Sequence, residues 1–187
     1  NLVGIIIEKG TAGFEKVHVE GTRKLTLASE EAGIQRFIQM SALGTRDNAV
    51  SRYHKTKWEA ELLVRNMKLD WTIFRPSIVF GEEDEFINVF AGMARFLPVL
   101  PLIGGGHGKL QPIWVEDVCH CFVKSLSMPE TFGKTFDQGG EHALSLKELM
   151  KLIVGAMGRK RFLAPLPFPV ANIQAKISNL LPIKPPS

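Results

Sequence analysis

Residues 36–76 read RFIQMSALGTRDNAVSRYHKTKWEAELLVRNMKLDWTIFRP, and this stretch decides the fold class. Its first five residues form a short apolar run that predicts a strand, and Trp71 to Arg75 predict a second strand that Pro76 ends. Between the two strands, Ser51 can cap a helix that runs to about Asn66. A strand, a helix and another strand in this order predict an α/β fold with a largely parallel sheet.

The rest of the chain continues this alternation. Small and apolar residues at steps of three and four predict a helix from Phe14 to Ala32, with Gly33 as its stop. The further predicted elements are a strand end at residues 1–4, a helical face over 86–97, strands at 111–115 and 135–138, a helix opening at Glu116, a helix capped by Ser145 and Glu148, and a terminal helix carrying Val170, Ile173, Ile177 and Leu181. The second half is the more irregular one. We therefore predict a division into residues 1–81 and 82–187, with some later elements packing back on the sheet.

Composition excludes several classes of protein. The chain has 187 residues, of which 45% are hydrophobic and 22% charged, as expected of a globular protein. No window has the roughly 18 apolar residues of a membrane span, and we expect no signal or transit segment at the start. The basic residues behind the net charge of +4 are scattered, which argues against a nucleic-acid partner. Cys119 and Cys121 lie in a helical stretch without a second ligand pair, so we expect neither a zinc site nor a disulfide framework.

Tyr53 and Lys57 form the sharpest chemical feature. Because they are four residues apart on a helix, both project from the same face. We expect the ammonium of Lys57 to lower the pKa of the Tyr53 phenol, which would suit it to proton transfer near neutral pH. The alternative is a surface helix with a half-buried ring and a solvated lysine. Gly4, Ser41 and Pro76 would lie beyond the carboxyl ends of parallel strands, where ligands bind in open α/β sheets.

Five runs of sequence, taken together, resemble a known family. They are 17–22 (VHVEGT), 36–44 (RFIQMSALG), 53–57 (YHKTK), 74–81 (FRPSIVFG) and 111–118 (QPIWVEDV). In order and spacing the chain resembles a short-chain dehydrogenase/reductase of the extended or atypical kind, the NAD-dependent epimerase/dehydratase family. The runs 75–81, 82–85, 86–88 and 163–169 are most similar to the group around the NAD(P)H-binding accessory subunit of respiratory complex I.

The resemblance implies a fold. Residues 1–81 would be the second half of a Rossmann-like, doubly wound parallel sheet, and residues 82–187 a small, mostly helical substrate-binding subdomain. Members of the family begin with a glycine-rich turn that receives the pyrophosphate at a helix N-terminus. No such turn precedes the matching part here, so we expect the first three strands and their helices to be missing from this sequence. The later run Gly104–Gly108 follows no suitable strand and is expected to be a flexible loop.

The resemblance also implies an activity, that of an NAD(P)-dependent oxidoreductase or epimerase/dehydratase acting on a small molecule. Tyr53 would be the general acid/base, Lys57 would hold the nicotinamide ribose, and Ser41 would bind the substrate oxygen, although some alignments place that function at Ala42 or Leu43. The implied cofactor-binding residues are Gly4, Met40, Ser41, Ala42, Tyr53, Lys57, Pro76, Ser77 and Ile78. His18 stands where the family often has an asparagine, and we expect it to be structural.

A second interpretation stays open at this point. The same resemblance fits a non-catalytic NAD(P)H-binding accessory or assembly subunit of a respiratory NADH dehydrogenase. The cofactor would be NAD or NADP, and the subgroup favours NADP. The protein would form a homodimer or associate with a respiratory complex, in the cytoplasm of a bacterium or in the mitochondrial matrix of a eukaryote.

Overall fold

The computed structural model describes residues 1–166, which fall into two compact units. Unit 1 comprises Asn1–Val79 and Ile113–Glu141, and unit 2 comprises Phe80–Pro112 and the described residues from His142 to Leu166. Residues 113–141 lie after the expected boundary at residue 81 yet belong to unit 1, so the chain enters unit 2 twice. The predicted terminal helix with Val170, Ile173, Ile177 and Leu181 lies outside the described residues.

The helices and strands follow one another along most of the chain. The strands are β1 (Arg36–Met40), β2 (Asp70–Pro76), β3 (Val79–Phe80), β4 (Val99–Ile103), β5 (Lys109–Leu110), β6 (Ile113–Trp114), β7 (Lys134–Gln138), β8 (Leu144–Ser145) and β9 (Phe162–Leu166). A π-helical segment, Glu15–Glu20, runs directly into helix α1 (Gly21–Glu31). The later helices are α2 (Arg52–Arg65), α3 (Ile87–Phe96), α4 (Val115–Ser125) and α5 (Leu146–Ala156), with short 3-10 turns at Gly104–Gly106 and Pro129–Thr131.

Unit 1 is built on a parallel sheet with the order β1-β2-β7. Side chains alternate across the sheet, so Phe37 and Ile73 pack on one face against Val64 and Met67, from α2 and the turn that follows it. On the other face the Phe74 ring contacts rings from α4 and β7. The sheet is therefore covered by helices on both faces, as parallel sheets require.

The free edge of β1 carries one further backbone pairing. The amino group of Asn1 donates to the Ile38 carbonyl at 2.6 Å, and the Asn1 carbonyl accepts from the Met40 N–H at 3.0 Å. The strand end predicted over residues 1–4 is limited to this one residue.

The predicted helix boundaries in unit 1 are confirmed. Ser51 caps α2 by accepting a hydrogen bond from the His54 N–H at 3.2 Å, and Asn66 is the C-terminal cap. The helix that begins near Phe14 ends before Gly33, which adopts a φ of 64°. This cap starts α2 one residue before Tyr53, so Tyr53 lies in the first turn of the helix.

Unit 2 packs α3 against α5 around a core of seven buried side chains, Ala94, Leu100, Leu102, Leu149, Met150, Ile153 and Val154. Strand β4 pairs with β9 in parallel, and β5 pairs with β8 in antiparallel fashion. Ser145 and Glu148 form the predicted capping box of α5. The glycine run, expected to follow no suitable strand, comes directly after β4 and forms a 3-10 turn. Glycine suits position 106 because its φ is 72° and a Cβ there would lie 3.1 Å from the Lys147 backbone nitrogen.

Candidate functional site

The candidate site lies at the carboxyl ends of β1, β2 and β7. The Ser41 N–H donates to the Phe74 carbonyl at 2.7 Å, and the Ser77 N–H donates to the Gln138 carbonyl at 2.8 Å. These bonds carry the sheet one residue past its strands. They place the ends of all three strands side by side at one edge, where open α/β sheets bind ligands.

Tyr53 and Lys57 reach this edge from α2. The Lys57 ammonium donates to the Met40 carbonyl at 3.5 Å and lies 6.0 Å from the centre of the Tyr53 ring. Gly4 lies against the same ammonium, since a Cβ on Gly4 would be 2.9 Å from Nζ. The structure thus brings together four of the residues named from the sequence: Gly4, Met40, Tyr53 and Lys57.

The electrostatics of the pair differ from the expectation. Lys57 is only 5% exposed, and this burial lowers its pKa, against the opposing effect of Glu61. Burial raises the pKa of Tyr53, so the predicted depression by Lys57 is wrong for the protein by itself. The physical reason is that the ammonium points to the Met40 carbonyl, while the phenol is removed from water. At neutral pH Tyr53 is therefore an uncharged phenol that can donate a proton.

His18 packs directly against the Tyr53 ring. Its ring is 1% exposed, stacks on Phe14 with centroids 5.5 Å apart, and meets the edge of Tyr53 at 5.4 Å. Its Nδ1 lies 2.9 Å from the Thr56 hydroxyl, and its Nε2 lies 3.1 Å from the Ile5 carbonyl oxygen. Burial first, and Lys57 second, lower the pKa of His18 to about 4, so the ring is neutral at physiological pH. His18 therefore joins α2 to the segment around Ile5, which agrees with the structural role expected of it.

Two buried polar side chains at the sheet edge have no hydrogen-bond partner within residues 1–166. They are the Ser41 hydroxyl, in a residue 4% exposed, and the amide of Gln138, in a residue 8% exposed. A buried polar group without a partner costs about 1–3 kcal/mol, so both groups are poised to bind a ligand. Ser41 was named from the sequence, and Gln138 was missed. The sequence feature that could have identified Gln138 is its position, since it is an uncharged amide at the end of the last predicted strand of the sheet.

The backbone of the other predicted cofactor-binding residues is already engaged in the fold. The Ala42 carbonyl accepts from the Thr45 N–H at 3.1 Å, and the Pro76 carbonyl accepts from the Leu43 N–H at 2.9 Å. Likewise, the Ile78 carbonyl accepts from the Ile113 N–H at 2.9 Å, and the Ser77 N–H is used by Gln138. A carbonyl oxygen has a second lone pair, so Pro76 and Ile78 can still accept a hydrogen bond, whereas the Ser77 N–H is occupied.

Glu61 holds α2 against β2 and was missed from the sequence. Its carboxylate is fully buried and accepts two hydrogen bonds from Arg75, at 2.8 and 2.7 Å, and one from Arg65 at 3.2 Å. Arg75 precedes Pro76 at the end of β2, and Glu61 lies one helical turn after Lys57. The buried ion pair therefore fixes the distance between the strand end and the helix that carries Tyr53 and Lys57. The sequence feature that could have identified Glu61 is a spacing of four residues along one helical face, shared by Tyr53, Lys57, Glu61 and Arg65.

The described part of the chain meets neither the requirements of a metal site with three or more ligands nor those of a membrane-spanning helix. No group of three or more His, Cys, Asp or Glu side chains there could hold a metal ion. Cys119 and Cys121 are exposed free thiols. The described helices also include none with the length and apolar character needed to cross a bilayer.

Comparisons with known proteins agree with this geometry. A family model described as NAD(P)H-binding matches residues 5–91. The chain is 37% identical over 186 residues to the mouse protein "NADH dehydrogenase [ubiquinone] 1 alpha subcomplex subunit 9, mitochondrial", covering 99% of this chain and 49% of that protein. It is 29% identical over 170 residues to the ceramide reductase of Caulobacter vibrioides, covering 90% of this chain and 53% of the reductase. The chain thus spans about half the length of the curated relatives it matches.

Among solved structures, the chain is similar to DesIV, a dTDP-glucose 4,6-dehydratase from Streptomyces venezuelae crystallised with NAD bound. The TM-score is 0.71 and the identity 20%, over 84% of this chain and 55% of that one. At 20% identity, this similarity is evidence for the fold alone. The predicted α/β fold, part of a Rossmann-like parallel sheet, is confirmed.

Proposed function

We propose that this chain, which belongs to the NAD(P)H-binding proteins of the Rossmann-like epimerase/dehydratase fold, holds the nicotinamide end of NAD(P)H within an accessory subunit of a respiratory NADH dehydrogenase. One observation carries the proposal. Lys57 lies beside the Tyr53 ring and donates to the carbonyl of Met40, the residue before Ser41, in a chain 37% identical to the mouse complex I subunit over 99% of its length.

The donor set suits the ribose and carboxamide of a dinucleotide. Lys57 offers a buried ammonium whose hydrogen bond to the Met40 carbonyl is long, at 3.5 Å, so it retains donors for ribose hydroxyls. The Ser41 hydroxyl and the Gln138 amide are buried with no partner in the part of the chain that the structure describes. These groups would bind and orient the nicotinamide end, while the bound cofactor would supply hydride chemistry where any occurs.

The charges at the site favour holding the cofactor over turning it over. An efficient acid/base group has a pKa near the working pH. Burial instead raises the pKa of Tyr53, away from neutral pH, so the phenol is not tuned as an activated base. Burial lowers the pKa of Lys57, whose ammonium is a hydrogen-bond donor for ribose hydroxyls.

A catalytic function is the second candidate, and the closeness of Tyr53 to Lys57 favours it. In an NAD(P)-dependent oxidoreductase, the phenol of Tyr53 would donate its proton to a substrate carbonyl oxygen that Ser41 holds. The similarity to a ceramide reductase, at 29% identity, supports this candidate. In either case the proposed cellular location is the mitochondrial matrix in a eukaryote or the cytoplasm in a bacterium. The proposed partner is the respiratory complex rather than a second copy of the chain.

The test uses the full-length protein that contains this chain, purified alone and with its respiratory complex. NADH and NADPH released on denaturation are quantified by chromatography. We expect Lys57→Met to lose the nucleotide, while Tyr53→Phe and the control Lys55→Met, an exposed lysine two residues away, retain it. All three variants should still associate with the complex.

Two results would change the conclusion. Substrate-dependent oxidation of NAD(P)H that disappears in Tyr53→Phe would establish the catalytic candidate. A wild-type protein that neither carries a nucleotide nor associates with the respiratory complex would overturn the proposal.

A further inference from the structure

Unit 2 carries a surface that the proposed function does not use. It lies where the end of α3 meets the start of β9. The Arg161 side chain donates to the Ala94 carbonyl at 2.8 Å, and the Phe162 N–H donates to the Pro98 carbonyl at 3.0 Å. These bonds hold residues 94–99 beside residues 159–162. We call the result the α3–β9 surface, formed by Arg95, Phe96, Val99, Arg159, Lys160 and Phe162.

Large apolar side chains project from this surface. Phe96 is 82% exposed, Phe162 is 68% exposed, and Val99 is 45% exposed. Val99 and Phe162 are register partners in the β4–β9 pairing, and Phe96 precedes Val99 by three residues. Val99 and Phe162 are therefore neighbours on one face of the β4–β9 pair, and Phe96 lies close to them along the chain. Clustered exposed apolar side chains mark interaction sites, in contrast to single ones scattered over a surface.

The charge around these side chains has one sign. Residues 86–112 and 149–187 contain no Asp or Glu, although the chain has 19 acidic residues elsewhere. Arg95, Arg159 and Lys160 are exposed beside the two phenylalanines. The nearest acidic residues along the chain, Glu85 and Glu148, lie at the N-terminal ends of α3 and α5, about 15 Å along the helix from Arg95 and Arg159. A partner that carries negative charge would complement this surface.

An open hollow adjoins the same surface. It has a volume of about 470 Å³ and is lined by Asn88, Ala91, Gly92, Arg95, Met157 and Arg159. Arg159 donates to the Arg95 carbonyl at 3.2 Å, which keeps the two arginines next to each other. Two guanidinium groups are suited to the oxygens of a phosphate group, whereas the Asn88 amide nitrogen donates to the Glu82 carbonyl at 2.8 Å.

We propose that the α3–β9 surface docks unit 2 onto a membrane surface rich in anionic phospholipid. Phe96 and Phe162 insert at the level between headgroups and acyl chains, and Arg95 and Arg159 bind a lipid phosphate. Projecting aromatic side chains among cations match the layered interface of an anionic bilayer, in which phosphate groups lie above acyl chains. The proposal rests on unit 2 alone and does not depend on the dinucleotide site.

The test is flotation of the full-length protein with vesicles of phosphatidylcholine, with and without phosphatidylserine. We expect binding to the anionic vesicles only, and release by salt. Arg159→Gln with Lys160→Gln should weaken binding by about 25-fold, since each cation near an anionic surface contributes about fivefold. Phe96→Ser with Phe162→Ser should weaken it by about tenfold or more.

Matched controls lie in unit 1. Lys24→Gln with Lys68→Gln removes two exposed lysines there, and Val123→Ser removes an apolar side chain that is 68% exposed, as Phe162 is. Both controls should bind like the wild type. Equal binding to neutral and anionic vesicles, or equal losses in the controls, would overturn the proposal. So would vesicle binding that is unchanged in the unit 2 variants while their association with the respiratory complex falls, because the surface would then bind an acidic protein.

Discussion

The substitution Glu61→Gln tests whether a buried ion pair positions the candidate site. The Glu61 carboxylate is 0% exposed and accepts hydrogen bonds at 2.7 and 2.8 Å from Arg75, whose side chain is 16% exposed. Removing one partner of a buried pair costs about 3–5 kcal/mol, and we expect the lower end of this range because Arg75 also lies 3.7 Å from the Asp137 carboxylate. For a chain of this size, each kcal/mol lowers the melting temperature by roughly 2–4 °C, so we expect a decrease of roughly 10 °C.

A matched control exists in the same unit. Glu8 pairs with Arg52 at 2.8 Å, but the two side chains are 33% and 72% exposed, so Glu8→Gln should cost less than about 1 kcal/mol. Urea unfolding followed by tryptophan fluorescence is a suitable assay, because Trp58 and Trp71 both contact Arg65 in the ion-pair cluster. If Glu61→Gln costs no more than Glu8→Gln, the argument that Glu61 ties α2 to β2 fails.

Three further predictions concern single side chains. In the folded protein the pKa of His18 is about 4, whereas in the unfolded chain it is about 6.5. Between these two pH values His18 is protonated in the unfolded chain and neutral in the folded protein, so lowering the pH favours unfolding. Urea unfolding at a series of pH values should therefore show a loss of about 3 kcal/mol by pH 4 that His18→Gln lacks. Ser41→Ala should leave the apo melting temperature unchanged or higher, since a buried hydroxyl without a described partner is removed, yet reduce the stabilisation by added NADPH. Ser145→Ala should lower the free energy of unfolding by about 1 kcal/mol, because it removes the capping box of α5. The urea midpoint should fall accordingly, and an unchanged midpoint would contradict this.

The regular elements of unit 1 were predictable from local sequence. β1 was predicted as residues 36–40 and α2 as following Ser51, and both have these bounds. A short apolar run and a serine cap are local signals, so no knowledge of distant contacts was needed.

Strands β4 and β9 were not predicted, because their prolines indicate turns. Pro101 lies within β4 and Pro165 within β9, and within residues 1–166 their sheet has these two strands. Each strand therefore has one edge without a described partner strand, where a residue without an N–H is tolerated. The pairing joins segments that are about sixty residues apart, and no local pattern reveals it.

The candidate site was predictable in its residue types and not in its electrostatics. The helical spacing of four placed Tyr53 and Lys57 together, but the pKa of Tyr53 depends on burial by surrounding side chains such as Phe14 and His18. Glu61 and Gln138 were missed for the same reason. Their importance comes from being buried, and burial is a property of the assembled fold.

Lys57, at the carboxyl edge of the sheet, is proposed to hold the nicotinamide end of the cofactor. The most direct measurement is the Kd of NADPH and of NADH for the full-length protein, compared between Lys57→Met and Lys55→Met. Loss of hydrogen bonds from a charged donor is worth about 1.5–3 kcal/mol, so Lys57→Met should raise the Kd by roughly 10- to 150-fold, while Lys55→Met leaves it unchanged. Equal Kd values for the two variants and the wild type would contradict the account.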